Sequence, residues 1–191
     1  MHHFFAYMAR LRNITRCGLM RNNFPENNQD HALQAATLAH VLATNANVPH
    51  SGTYDADKIA AVAMYHDAGE VITGDLATPI KHFNPEVREA FDALEEMARG
   101  KLLCMLPEDL RASYAPYLLA DESDNAWHIV KAADRICAYL KCVEEMKAGN
   151  MEFAKAKAAI LQDIEGMERP EVADFMREFA PSFELSLDEL N

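Results

Sequence analysis

The sequence predicts an all-α protein built as a single domain over residues 1–191. Apolar residues recur at helical spacing in seven segments. Capping and stop residues bracket most of those segments. Strand-like alternation, internal repeats, low-complexity runs and Gly/Ser linkers are all missing. A chain of 191 residues is long enough to bury one sizeable core.

The first predicted helix is "DHALQAATLAHVLATNA", with apolar residues on one face. The second, "DADKIAAVAMYHDAG", has Asp55 or Asp57 as its cap and meets a stop signal at Gly69. The stretch from Gly69 to Pro79 reads as a polar loop, the one loop dense in chemically useful groups. "NPEVREAFDALEEMARGKLLCML" opens with Asn84 as N-cap and Pro85 at the first helical position, and it tolerates Gly100 inside. "PEDLRASYAPYLL" is a shorter helix. "NAWHIVKAADRICAYLKCVEEMKAG" is a long amphipathic one that ends at Gly149. "MEFAKAKAAILQDIEGM" and "PEVADFMREFA" complete the set. The ten scattered methionines read as core filling, and "LEEMARGK" and "VEEMKAGN" as solvated faces with pairing charges.

Composition narrows the function. The net charge of −12 argues against a nucleic acid polymer as partner, since polyanion binding needs a basic surface. A small phosphorylated ligand is still compatible, because one arginine and a metal can hold a phosphate inside an acidic protein. No apolar stretch is long enough to cross a bilayer. The start, "MHHFFAYMARLRNITRCG", lacks the apolar core and small-residue cleavage site of a signal peptide. Cys17, Cys104, Cys137 and Cys142 form no CxxC pair, which suits a reduced, cytoplasmic protein.

The chemistry concentrates in a few polar residues on apolar stripes. His31 follows Asp30 and shares a face with Ala35, Leu38 and Leu42. His66 follows Ile59, Val62 and Ala63 by helical steps. Asp134 lies between Val130 and Ala138. With 8 histidines and 13 aspartates, about half a His-Asp dipeptide is expected by chance, so His66-Asp67 means little alone. Taken singly, His66 is more often a satisfied core histidine than a ligand. Asp134 would more often pair with a neighbour such as Arg135, Glu70 cap a helix end, and Arg16 face solvent. Three helices that each bury an unpartnered polar group are harder to dismiss, because each is costly. A shared divalent metal resolves all of them, and two imidazoles with two carboxylates suit Mn, Co, Fe, Zn or Mg rather than soft thiolate chemistry. Such an ion acidifies a water and polarises a phosphate. Glu70, one helical step beyond, is placed to take the proton. Arg16 has the planar fork for phosphate oxygens.

The order of His31, His66-Asp67 and Asp134 resembles the H…HD…D pattern of the HD-domain metal-dependent phosphohydrolases. The likeness extends to "HFFAYMARL", "LMRN", "AMYHDAGEVITGDLATPIKHFN", "ADRICAYLKCVEEMKAGN" and "FAPSFELSLDE". Over essentially the whole chain the sequence resembles the bacterial 5′-deoxynucleotidases of the YfbR type. The resemblance implies a single HD-domain helical bundle, usually a homodimer. It implies hydrolysis of deoxyribonucleoside 5′-monophosphates with a divalent cation such as Mn, Co or Mg. It makes His31, His66, Asp67 and Asp134 the metal ligands and Glu70 the catalytic carboxylate. Arg16 becomes the phosphate arginine, and Cys17 with Asp75, Leu76, Ala77 and Thr78 the substrate contacts. Two positions depart from the pattern: Cys17 stands where the family commonly has Trp, and Asp30 where it often has Glu. The other histidines, His2, His3, His40, His50, His82 and His128, read as structural or surface residues.

Two rival readings have definite marks. A phosphohydrolase for a dNTP or an alarmone would need more cations than Arg16, Arg21 and Lys81 near the site. A non-catalytic nucleotide or metal sensor would have no use for Glu70.

Overall fold

A computed structural model describes residues 1–81, 83–121 and 123–190, with Thr78 and Pro79 as backbone only. Among the described residues every regular element is helical, and one isolated β-bridge joins Thr15 and Asn27. All seven predicted helices are present. In chain order the α-helices are α1 (Phe4–Met8), α2 (Asn28–Asn47), α3 (Ala56–Tyr65), α4 (Glu70–Thr73), α5 (Thr78–Lys81), α6 (Pro85–Cys104), α7 (Glu108–Leu118), α8 (Asn125–Lys147), α9 (Ala154–Glu165) and α10 (Pro170–Glu178). Short 3₁₀ turns follow α1, precede α9 and close the chain. Among the described residues no helix is long and apolar enough to cross a membrane.

Several boundaries differ from expectation for local reasons. Helix α2 begins two residues before Asp30, because the Asn27 side chain accepts the Gln29 and Asp30 amides. Asp55 caps α3 by accepting the Lys58 amide. That helix ends at Tyr65 rather than at Gly69, and the chain passes through turns over 66–69. The expected loop after Gly69 contains α4 and α5, each a single turn and too short to leave a periodic signature. Gly74 separates them at φ +77°, a left-handed conformation that suits glycine. Asn84 and Asp124 cap α6 and α8, and Gly149 follows α8 at φ +84°.

Helix α2 packs mainly on α3 and α8, and α10 closes over α2. Ala35, Ala39 and Ala43 on α2 let the backbones approach, and Leu42, Ile59, Ile129, Val130, Ile136, Val172 and Phe175 fill the space between. Phe4, Ala68, Leu102, Leu106 and Leu118 form a second cluster beneath α4 and α6. Of the ten methionines, Met8, Met105, Met167 and Met176 pack half-buried against the two clusters, whereas Met1, Met64, Met97 and Met151 are exposed.

Candidate active site

His66 and Asp67, just after α3, and Asp134 on α8 line a cleft of about 430 Å³, and His31 on α2 meets them there. His31 lies in the first turn of α2, His66 at the C-cap of α3 and Asp134 midway along α8. Their ligating atoms lie within 4.8 Å of one another. His31 Nε2 is 3.1 Å from Asp134 Oδ1 and 3.5 Å from Asp67 Oδ2. His66 Nε2 is 3.2 Å from Asp67 Oδ2 and 3.7 Å from Asp134 Oδ1.

Both imidazoles are oriented from behind. His66 Nδ1 donates to the Ala63 carbonyl at 2.7 Å, which leaves Nε2 as the lone-pair side. His31 Nδ1 faces Glu26 Oε1 at 3.4 Å. Both Nε2 atoms are buried, and neither makes a hydrogen bond of acceptable direction despite the nearby carboxylates. Two imidazole nitrogens and two carboxylates thus converge without satisfying one another, the condition a shared cation resolves. The electrostatics agree. Burial favours neutral His31, but the Asp134 and Glu26 carboxylates outweigh it and raise its pKa to about 9. Burial opposes ionisation of Asp134, yet His31 and His66 hold it well below the usual carboxylate range. The cluster draws positive charge, and its mixed N/O donor set fits a divalent ion of the Mn, Co, Zn or Mg type.

Arg16 reaches the same cluster from the segment before α2. Its Nη1 donates to Asp67 Oδ2 at 3.0 Å, and Nη2 is 3.9 Å from Asp134 Oδ1. Asp67 therefore faces both histidines and the guanidinium. Arg135 turns away to Asp163, so the nearest sequence partner does not occupy Asp134.

Glu70 opens α4 and is buried. Burial first, then the Asp67 and Asp75 carboxylates, push its pKa up to about 8, while Arg16 and Asn28 pull it down. The fully buried Asn28 donates its side-chain amide to Glu70 Oε2. Asp75 lies across the cleft and accepts the Cys17 amide at 3.2 Å. Leu76 lines the cleft; Cys17 and Ala77 are not among its described lining residues, and the Thr78 side chain lies outside the described structure.

Sequence reasoning missed several neighbours. Glu26 and Asn28 precede the first histidine, and the only signal for Asn28 was its place one helical turn before His31. Trp127 and Lys131 line the cleft two turns and one turn before Asp134, with Lys131 Nζ 4.9 Å from the Trp127 ring centre. Lys81, Arg88 and Arg99 line it too, with Lys81 paired to Glu95 at 3.2 Å and Arg88 near Asp92 at 3.8 Å, so this part of the lining is a mixed set of charges in a chain of net charge −12.

Fold and site together define the class: an HD-domain helical fold with its His-His-Asp cluster at the head of a cleft. An HD-domain phosphohydrolase from Listeria innocua superposes with a TM-score of 0.81 at 22% identity, covering 95% of this chain and 88% of that one. The HD phosphohydrolase DatZ of cyanophage S-2L, solved with dA and one catalytic Zn²⁺ ion, superposes with a TM-score of 0.64 at 20% identity, covering 94% and 95%. Residues 3–183 match the family model described as 5′-deoxynucleotidase YfbR-like. A 5′-deoxynucleotidase of Vibrio parahaemolyticus is 50% identical over 190 residues, 99% of this chain and 98% of the relative. The 5′-deoxynucleotidase YfbR of Escherichia coli is 48% identical over 192 residues, 99% and 96%. The chain belongs to the YfbR-like 5′-deoxynucleotidase family.

Proposed function

We infer that this protein is a metal-dependent 5′-deoxynucleotidase, which cleaves deoxyribonucleoside 5′-monophosphates to nucleoside and phosphate. The observation that carries the reading is the pair of buried, unpartnered imidazole nitrogens facing two carboxylates beside Arg16 in a polar cleft. Full-length identity of 48–50% to 5′-deoxynucleotidases supplies the substrate class.

In this reading His31, His66, Asp67 and Asp134 hold the metal. A divalent ion there supplies Lewis acidity to the phosphate and to the attacking water. Glu70 takes the water's proton. Burial and the Asp67 and Asp75 charges raise its pKa, and a divalent ion beside it would offset those charges and leave the carboxylate ionised to accept the proton. Asn28 fixes the carboxylate's direction. Arg16, held against Asp67, turns its remaining donors toward the phosphate oxygens and offsets charge as the P–O bond to the sugar breaks. The leaving 5′-oxygen receives a proton as it departs, and the water's proton held on Glu70 is the one that balances it. Asp75 positions the 5′-oxygen or a sugar hydroxyl, and Leu76 frames the sugar, with Cys17, Ala77 and Thr78 assigned to the substrate-contacting segments by the family resemblance alone. The assembly is a homodimer, by the family resemblance, and the four unpaired cysteines fit a reduced, cytoplasmic setting.

The test is phosphate release from the common dNMPs and NMPs by chelator-treated protein, alone and with Mn, Co or Mg. Metal-restored release from dNMPs is expected. Release from nucleoside triphosphates only, or binding without release, would overturn the assignment.

A further inference from the structure

Residues 14–28 form a closed loop whose neck builds part of the active site. At the neck the Arg16 amide donates to the Glu26 carbonyl at 2.9 Å, and the Asn28 amide donates to the Ile14 carbonyl at 3.0 Å. The bridge between Thr15 and Asn27 lies between these bonds. Arg16, Glu26 and Asn28, which face Asp67, His31 and Glu70, all belong to this neck.

The far end of the loop is fastened to the end of α8. Glu145 accepts the Asn23 amide at 2.8 Å, the Phe24 amide at 3.0 Å, Lys141 Nζ at 2.6 Å and Asn150 Nδ2 at 2.9 Å. Four donors fill the acceptor capacity of one carboxylate. Lys141 also donates to the Phe24 carbonyl, and Asn150 Nδ2 to the Arg21 carbonyl at 2.6 Å. Glu145 is fully buried and Lys141 nearly so. A buried ion pair is a poor source of net stability, since desolvation offsets most of the attraction, so its use is better sought in what it positions. What it positions is a strained loop. Cys17 sits at φ +54°, a conformation that L side chains adopt at a cost and that persists only when its surroundings impose it. Asn22 holds the Cys17 carbonyl at 3.2 Å from inside the loop.

We propose that Glu145, with Lys141 and Asn150, is a positioning device for substrate binding: it anchors the 14–28 loop so that Arg16 meets the phosphate in a fixed geometry. Helix α8 thereby sets two halves of the site, Asp134 directly and Arg16 through the loop. The proposal rests on the nucleotidase reading for the role of Arg16, while the anchor itself can be observed without turnover.

The experiment compares Glu145→Gln and the milder Asn150→Ala with wild type in three measurements. In amide hydrogen exchange, segment 16–24 should exchange at least about tenfold faster in Glu145→Gln, while α2 and the centre of α8 keep wild-type protection. In steady-state kinetics, KM for dAMP should rise about tenfold with kcat within about threefold, the cost of one charge-assisted hydrogen bond at the phosphate. Metal content should stay at the wild-type level, which a general loosening of α8 would not allow. In a double-mutant cycle, Glu145→Gln in an Arg16→Ala background should cost almost nothing more, because Glu145 acts through Arg16. Unchanged exchange in segment 16–24 in both variants overturns the anchor. Faster exchange with unchanged KM, or additive losses in the cycle, overturns the coupling to Arg16. If wild type releases no phosphate from any dNMP, the nucleotidase reading fails, and the exchange measurement still decides the anchor.

Discussion

Helix α8 carries two polar clusters about three turns apart. Around Glu145 every acceptor position has a donor, and Lys141 is committed to the Phe24 carbonyl and to Glu145. Around Asp134 two buried imidazole nitrogens face two carboxylates and make no hydrogen bond with any of them. Both clusters draw ionisable groups out of water, and both sit on one rigid element. A cluster closed on itself has nothing left to bind, and its work is to hold chain segments together. A cluster that leaves lone pairs aimed at a common point is stable only with something else at that point. The same accounting separates structural from functional polar groups with no reference to which residue types are present.

The comparison breaks most sharply at Asp134. Asp134→Ala should remove the bound metal, seen by elemental analysis, and drop phosphate release to background, since no other carboxylate reaches His31 Nε2 as closely. In wild type a saturating metal at about 100 Kd should add roughly 2.7 kcal/mol of stability, about 5–10 °C in Tm for a chain of this size. Asp134→Ala should lose most of that rise. Full metal occupancy in Asp134→Ala would show that the open cluster is not the metal site.

Glu70→Ala comes next. It leaves the cluster intact and removes the proton acceptor beside it, so metal content should be unchanged while turnover falls about 10²–10⁴-fold. Wild-type turnover in this variant would move the base elsewhere, with Asp75 the next candidate. Arg16→Ala should cost about 10–100-fold in kcat/KM for dAMP, the worth of one or two hydrogen bonds to a charged phosphate. A loss confined to metal affinity would mean that Arg16 serves only to balance Asp67.

Much of this was legible in the sequence, and the exceptions have physical causes. The long helices have periodic stripes and capping residues, and the structure contains all seven. Helices α4 and α5 are four residues each, shorter than any stripe, so Gly69 to Pro79 read as one loop. His31, His66 and Asp134 stood out because each sat on an apolar face, and the structure brings them together with Arg16, Asp67, Glu70 and Asp75. Asn28 and Glu26 did not stand out, because polar residues before a helix are ordinary. The closed cluster was invisible as well. Glu145 and Lys141 are an i, i+4 pair in "LKCVEEMK", indistinguishable in sequence from a solvated helix face, and only the loop folded over them makes them buried.

Acid should find the closed cluster first. Burial alone would raise the pKa of Glu145; hydrogen bonds from Lys141, the Asn23 and Phe24 amides and Asn150 outweigh it and hold the group at about 2, below its ordinary 4.5. A depressed carboxylate pKa adds stability that is present above the unfolded value and is lost as pH falls through the folded one. The contribution of Glu145 is therefore complete above about pH 4.5 and disappears towards pH 2. Denaturant melts at pH 7, 4 and 3 should show wild type losing more stability than Glu145→Gln over that window. Equal losses would mean that the cluster is not depressed as its hydrogen bonds imply.

The smallest effect belongs to Cys17, which lies on the loop that joins the two regions. Its amide is tied to Asp75 across the cleft, yet its side chain is not among the described residues lining it. A Trp at this position, which the family resemblance leads one to expect, would bring a flat wall to the sugar that the small thiol cannot. An apolar wall rejects an added hydroxyl by at most about 10²-fold. The left-handed backbone at residue 17 further restricts how a large side chain can be aimed, so the expected gain is several-fold rather than the full amount. Wild type should accept AMP at a measurable fraction of its rate with dAMP, and Cys17→Trp should raise the ratio of kcat/KM for dAMP over AMP by about threefold or more. The ratio isolates sugar selection, because a loosened loop would weaken both substrates alike through Arg16. A wild type already strict for the deoxy sugar, with a ratio that Trp leaves unmoved, would place sugar selection on another wall of the cleft, where Leu76 and Trp127 are the apolar candidates.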